Sequence, residues 1–413
     1  MSTTQPPSSP HELASLVRAR LMSRSTSRRA VLGGAGAAGL AAALSACGTG
    51  GTGSGDSAKP EAVTDRSDSD KVVNWANWAL YLDYDEKTKT YPTLEEFTKR
   101  TEIKATYAED IEDNDSYYGK IQGQLKNGDD IGKDIIVLTD WMAARVIRQG
   151  YAQKLDKAVI PNAANILDNL REVDFDPGRN YSLTWQSGYA GLAWNQKELE
   201  RLGVPTPLRS VNDLWRPELK GRVEVLSEFR DTLGLILLEQ GTDISQPFGA
   251  DKFGNALEVL EKQLGSTQIR QVKGNSYKED LISGDALAVI AWSGDITQLN
   301  FENGDKWRFA LPEKGGTLWS DNMLIPIGSP HKKNAEILMN YYYTPAVAAQ
   351  VARYVNYICP VKGAKEEMEK LDPTLVDDPN IFPPDNINAK VFRTLEPEEE
   401  TQFTQDFQKV LGV

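Results

Sequence analysis

From Val72 onward, short β-branched runs alternate with stretches whose apolar positions recur every three to four residues, the pattern of an α/β fold with largely parallel strands. Val72 to Trp78 reads as the first strand. Thr93-Leu94-Glu95-Glu96 supplies a capping box to a helix carrying Leu94 and Phe97, and Ile103 to Tyr107 alternates like a second strand. A strand, helix, strand unit is the expectation. The acidic run Glu109 to Asp115 precedes a helical stretch, Ser116 to Leu125. It lacks the glycine and terminal glutamate of an EF-hand loop, so its acids are read as capping that helix rather than holding calcium.

Asp134 to Leu138 is a buried strand expected to run into a loop at Thr139-Asp140-Trp141, before a helix from Met142 to Gln149. Further strand-to-loop junctions are expected at Leu287 to Gly294 and at Thr317 to Asp321. Ligands of open α/β sheets sit beyond the carboxyl ends of strands, which makes these three junctions the places to look for a site. Between them, the helix Lys252 to Leu264 sets Phe253, Ala256, Leu257, Leu260 and Leu264 on one face and belongs to a core.

The first seventy residues have a different pattern. Arg28-Arg29 precedes a charge-free run of Gly, Ala and Leu that ends in Leu44-Ser45-Ala46-Cys47, with the n-region, h-region and small-residue cleavage site of an export signal. The paired arginines resemble a twin-arginine signal. Leu-Ser-Ala-Cys resembles the bacterial lipobox, in which the cysteine is acylated and becomes the new N-terminus. An uncleaved membrane anchor is the alternative, although residues 30–46 are short and glycine-rich for a stable span. Residues 47–70 are rich in Gly, Ser, Thr and Asp and read as a flexible tether. With Cys47 acylated, Cys359 has no partner for a disulfide and reads as a small buried apolar residue.

Composition then removes several classes. The 413 residues carry 46 basic and 59 acidic side chains, a net of −13. Removing residues 1–46, with five Arg and one Glu, leaves 41 basic and 58 acidic residues, a net of −17. Such a charge repels phosphate backbones, so no nucleic-acid partner is expected and a charged partner should be cationic. Two Cys and two His, His11 and His331, are too few for the usual zinc or iron–sulfur sites and leave little room for a histidine-based triad. No metal and no cofactor are expected.

What remains is an aromatic and carboxylate constellation. Trp78, Tyr81, Trp141, Trp292 and Trp319 fall at expected strand ends, with acids close by or in Ser227-Glu228-Phe229-Arg230-Asp231, where a strand holding Val223 and Val225 gives way to a helix. Ring faces attract ammonium groups and stack on methylenes, while carboxylates anchor charged ends, so the set suits a flexible organic polycation. Any single Trp reads more readily as a core residue, so position alone does not decide.

At these residues the chain resembles the bacterial spermidine/putrescine-binding proteins of ABC transporters. The resemblance is carried, in order, by Asn77 to Tyr81, Asp134 to Trp141, Ser283-Gly284-Asp285 through Trp292, Leu311 to Gly316 with Trp319-Ser320-Asp321, and Tyr343 to Ala352. It implies a two-lobe, periplasmic-binding-protein-like fold of type II with the ligand in the cleft between lobes. Residues 71–183 with 309–345 would form lobe 1, and 184–308 with 346–413 lobe 2. By position, Trp78 and Tyr81 match cleft aromatics, Trp141 stands where the family usually has Tyr, and Trp292 and Trp319 match two Trp of an aromatic box. Asp321 falls on the central amine-binding Asp. Glu228 and Asp231 fall on an Asp and a Glu that hold one amine end. Thr139, Ser276 and Tyr357 complete the expected ligand-binding set, together with Asp140, an acid that this chain adds beside Trp141 in departure from the family.

The chain departs from the family at Ala79-Leu80, where Thr-Glu is common, and the family's C-terminal Gln has no clear counterpart near Arg393. The resemblance implies a monomeric, non-enzymatic binding protein, exported and lipid-anchored to the outer face of the cytoplasmic membrane. Its partners would be a polyamine and an ABC permease with its ATPase. The same fold holding another amine or a neutral oligosaccharide stays open, as does an exported glycoside hydrolase using Glu228 and Asp231.

Overall fold

The computed structural model describes residues 59–111, 114–274, 276–384 and 386–412. Arg28, Arg29 and Cys47 lie outside them. The end of the expected tether is described and is seated rather than loose. Asp65 Oδ2 accepts from the backbone of Lys333 at 3.2 Å, Ser67 Oγ from Asn334 N at 3.1 Å, and His331 lies between Asp70 and Asp134 at 3.1 and 3.0 Å.

The first half of the chain holds β1 (Val72–Trp78), α1 (Pro92–Thr101), β2 (Lys104–Ile111), α2 (Asn114–Asn127), β3 (Ile135–Thr139) and α3 (Asp140–Arg148). A short helix, α4 (Asp168–Arg171), leads into the fourteen-residue β4 (Ser182–Asn195) and then α5 (Gln196–Leu202). Next come β5 (Val223–Leu226), α6 (Phe229–Glu239), α7 (Ala250–Gly265), β6 (Ile269–Lys273), α8 (Tyr277–Ser283), β7 (Ala288–Trp292) and α9 (Ser293–Asn303). The last section is β8 (Trp307–Ala310), β9 (Gly316–Leu324), α10 (Lys332–Tyr342), α11 (Pro345–Val355), α12 (Ala364–Leu371), β10 (Ala389–Val391) and α13 (Pro397–Leu411).

The sheet runs β2-β1-β3-β9-β4-β7-β5-β6, with β10 on β9 and β8 on β4. Each half is parallel: β1 pairs with β2 and β3, and β5 pairs with β6 and β7. The centre is not, which corrects the expectation of a largely parallel sheet. β9 runs antiparallel to β3 and β4, and β4 antiparallel to β7, because one strand carries the chain out of the first half and the other brings it back.

Period-two alternation explains the cores around the first half. Val73, Trp75, Ile135 and Val137 face one apolar cluster, and Ala76, Ile136 and Leu138 face another. A separate cluster gathers Val223, Val225, Leu233, Phe253, Leu260, Ile290 and Phe403. Val347 to Ile381 packs with Val73 and Trp75, whereas Phe392 to Phe407 packs with Val223 and Phe253, so residues 346–413 divide between two cores instead of joining one.

Three local expectations change. Pro92 takes the first turn of α1, so Thr93 lies inside the helix and its hydroxyl bonds Asp83 instead of capping. No loop separates β3 from α3: Thr139 is the N-cap and Asp140 the first helical residue. Thr317 to Asp321 is not a strand end but lies within β9, where Ser320 bonds Ser187 across the sheet at 2.8 Å. Cys359 is buried as expected, and burial pushes its thiol up to about 12.

Candidate functional site

Alternation along β9 places Thr317, Trp319 and Asp321 on one face of the strand. The Asp321 carboxylate accepts Tyr81 Oη at 2.9 Å and Thr139 Oγ1 at 2.7 Å. Burial pushes it up to about 7, with the Asp140 charge adding to the rise and the bonds from Thr139 and Tyr81 opposing it. Tyr81, itself buried beside that carboxylate, is held far above the usual phenol range and so stays a donor.

Tyr357 stands between Tyr81 and Trp319, edge-on to both, with centroids at 5.9 and 5.4 Å. Two glycines make this packing possible. A Cβ on Gly188, opposite Trp319 in the β4–β9 register, would lie 2.4 Å from the indole; one on Gly294 would lie 2.6 Å from the Tyr357 ring. Tyr357 also donates to Asp295 at 3.3 Å. Asp295, in the first turn of α9, accepts from Tyr277 at 2.9 Å as well and pairs with Lys278 at 3.1 Å.

The second carboxylate belongs to Asp231 in the first turn of α6. It accepts Trp292 Nε1 at 2.8 Å and Thr317 Oγ1 at 2.7 Å. Burial pushes it up to about 7 and the Glu228 charge adds to this, against the pull of the two hydrogen bonds. Neither Asp231 nor Asp321 has an ion-pair partner among the described residues.

Glu228 is different. It caps α6, accepts from Arg230 N at 3.2 Å and pairs with the Arg230 guanidinium at 3.2 Å. That guanidinium lies 4.5 Å above the Trp141 ring and also bonds Glu400 of α13 at 2.8 Å. Trp141 therefore already faces a cation of the protein itself.

Of the sequence-based candidates, Tyr81 and Thr139 hold the Asp321 carboxylate, Tyr357 packs edge-on between Tyr81 and Trp319, and Asp231 with Trp292 forms the second centre, flanked by Glu228. Asp140 turns to β9 instead, accepting Ser320 N at 2.9 Å and Asn322 Nδ2 at 2.8 Å; burial pushes it up to about 6 against the nearby Arg179 charge. Trp78 donates to Val137 O at 3.1 Å and packs on the first half's cores. Ser276 is exposed at the start of α8. Among the described residues, no hydrogen bond or ring contact joins Trp78 or Ser276 to the other candidates. Asp295 and Arg230 are the members that sequence reasoning passed over.

Carboxylates lodged among aromatic rings are suited to an organic cation, and the fold that holds them has relatives. Residues 92–383 match the family described as bacterial extracellular solute-binding protein. The chain belongs to this family.

Among curated relatives, the spermidine/putrescine-binding periplasmic protein of Escherichia coli is 25% identical over 324 residues, 77% of this chain and 84% of its own. A putrescine-binding periplasmic protein of the same organism is 26% identical over 335 residues, covering 78% and 86%. In fold, the chain is similar to the spermidine/putrescine ABC transporter substrate-binding protein of Streptococcus pneumoniae. That likeness has a TM-score of 0.70 at 23% identity and covers 83% of this chain and 99% of that one. The architecture is accordingly the two-lobe α/β fold of periplasmic substrate-binding proteins.

Proposed function

We propose that this chain is an extracytoplasmic polyamine-binding protein that takes up putrescine, spermidine or a similar amine and delivers it to an ABC importer. The observation that carries this reading is the pair Asp321 and Asp231: two buried carboxylates without a cationic partner among the described residues, each hydrogen-bonded by an aromatic side chain. An unpaired buried charge is costly, and two ammonium groups would relieve both sites at once. The names of the curated relatives agree with that chemistry. No proton or group transfer is required; closing of the lobes on the ligand is what the permease would read.

In this reading the lobes are residues 71–183 with 309–345, and 184–308 with 386–413, and residues 346–381 join the first because Val347 to Ile381 pack on its core. Anchorage through an acylated Cys47, after export by the twin-arginine route, completes the reading, and the protein would act as a monomer outside the cytoplasmic membrane. Calorimetric titration with putrescine, spermidine, spermine and a neutral sugar tests it. Binding of the sugar alone, or of no amine below about 100 μM, a free energy near −5.5 kcal/mol, would overturn it. Loss of membrane association in Cys47→Ala tests the anchor.

A further inference from the structure

We propose that Arg230 is a specificity-determining residue: its guanidinium occupies the Trp141–Glu228 end of the site as a resident cation and leaves places for two ammonium groups, at Asp231 and Asp321. This rests on the polyamine reading and deepens it, from amines in general to short diamines.

The arginine is fixed from four sides. Glu228 and Glu400 take its nitrogens at 3.2 and 2.8 Å, while the rings of Trp141 and Phe229 lie 4.5 and 4.3 Å from its central carbon. A planar guanidinium is well suited to being held by stacking and by two carboxylates together. Around it the charges are already satisfied. Arg145 reaches Glu400 at 3.3 Å and Asp115 at 3.3 Å, and Arg148 approaches Glu400 at 3.8 Å, so three guanidiniums face Glu228, Glu400 and Asp115. That end of the site needs no ligand to complete it, and a third ammonium arriving there would meet positive charge.

The open carboxylates also fix a length. Asp231 is held at Thr317 and Asp321 lies four residues further along the same face of β9, with Trp319 between them. Four residues of strand span about 13 Å, and two charge-assisted hydrogen bonds of about 2.8 Å leave roughly 7 Å between ligand nitrogens. That matches an extended four- or five-carbon diamine, with its methylenes over the Trp319 ring. The other nearby acids are engaged: Asp295 by Lys278, Asp140 by Ser320 and Asn322.

The test is calorimetric titration of the full chain with putrescine and spermidine, in the wild type, Arg230→Met and Glu400→Gln. The wild type should prefer putrescine by about tenfold or more, and Arg230→Met, which frees Glu228 and the Trp141 face, should shrink that preference to about threefold or less by tightening spermidine. Glu400→Gln removes a partner but leaves the guanidinium on Trp141, so it should keep the wild-type preference. A wild type that binds spermidine as tightly as putrescine overturns the proposal. So does an Arg230→Met protein that binds putrescine with the ratio unchanged. A series of α,ω-diamines on the wild type gives the same answer without any variant: an optimum at four or five carbons supports the proposal, and affinity that keeps rising with length refutes it. If no amine binds the wild type, the underlying polyamine reading fails instead.

Discussion

The hydroxyl of Tyr81 donates to Oδ2 of Asp321 at 2.9 Å across 240 residues of sequence, tying the loop after β1 to the middle of the returning strand β9. Thr139, the N-cap of α3, holds the other oxygen of the same carboxylate at 2.7 Å. Three elements thus converge on a single acid that has no ion-pair partner among the described residues. Asp321→Asn keeps an acceptor for these hydroxyls and removes the charge. Amine binding should weaken by about 2–5 kcal/mol, the usual cost of removing one partner of a buried charged pair, with the fold retained. Calorimetry reads this directly; an unchanged affinity would mean that the amine is not held at Asp321.

Protonation should oppose the ligand. Burial brings Asp231 and Asp321 up to about 7 from 3.8, Glu224 up to about 7 from 4.5, and Asp140 up to about 6 from 3.8. Each native value lies above the unfolded one, so between roughly pH 4 and 7 the folded chain binds more protons than the unfolded chain. The contribution of these groups to the stability of the ligand-free protein is complete below about pH 4 and is lost as pH rises through 7. Thermal unfolding should therefore show their stabilising contribution at pH 5 to be greater than at pH 8. Amine affinity should run the other way, falling below pH 7 as the carboxylates at Asp231 and Asp321 become protonated, with up to about two protons released on binding near pH 6. Calorimetry in buffers of different ionisation enthalpy measures that release. Constant affinity from pH 8 to pH 5 would refute the assignment of both acids.

The position of Tyr357 depends on an absent side chain. Gly294 lies in α9 with ordinary helical backbone, so alanine suits the helix, but its Cβ would come within 2.6 Å of the Tyr357 ring. The ring would have to swing away from Asp295, Trp319 and Tyr81. Gly294→Ala should weaken amine binding by about 1–3 kcal/mol, the scale of overpacking in a tight site, with circular dichroism unchanged. Unaltered affinity would take Tyr357 out of the site.

Much of the fold was legible because the strands are short apolar runs. Val72–Trp78, Ile135–Thr139, Val223–Leu226 and Ala288–Trp292 form where the pattern predicts them. The centre of β9 was misread because Ser320, Asp321 and Asn322 look like the end of a strand. Their partners, Ser187, Tyr81, Thr139 and Arg179, are distant in sequence, so nothing local signals that the polar groups are satisfied. The same distance hid the role of Arg230, whose partner Glu400 lies 170 residues away. Asp295 has a local signal, since it follows Trp292 by three residues at a strand-to-helix junction, one position beyond the expected junction at Leu287 to Gly294. The resemblance singles out Asp231, Trp292 and Asp321 by position, whereas nothing local in the sequence signals that Asp140 turns into the sheet.

Asp295 allows a last distinction between holding a ligand and holding the wall around it. It gathers Tyr277, Tyr357 and Lys278 at 2.9, 3.3 and 3.1 Å, so its charge already has a partner, unlike that of Asp321. Asp295→Asn should therefore weaken amine binding by only about 1 kcal/mol, the scale of one lost hydrogen bond, because an amide oxygen can still accept from a tyrosine. Lys278→Met should act in the opposite direction. It uncovers a third carboxylate and removes a positive charge near the cation, so amine affinity should rise, and more at low salt than at high. Paired titrations of the two variants decide the matter: a loss in Asp295→Asn as large as in Asp321→Asn, with no gain in Lys278→Met, would make Asp295 a direct amine ligand.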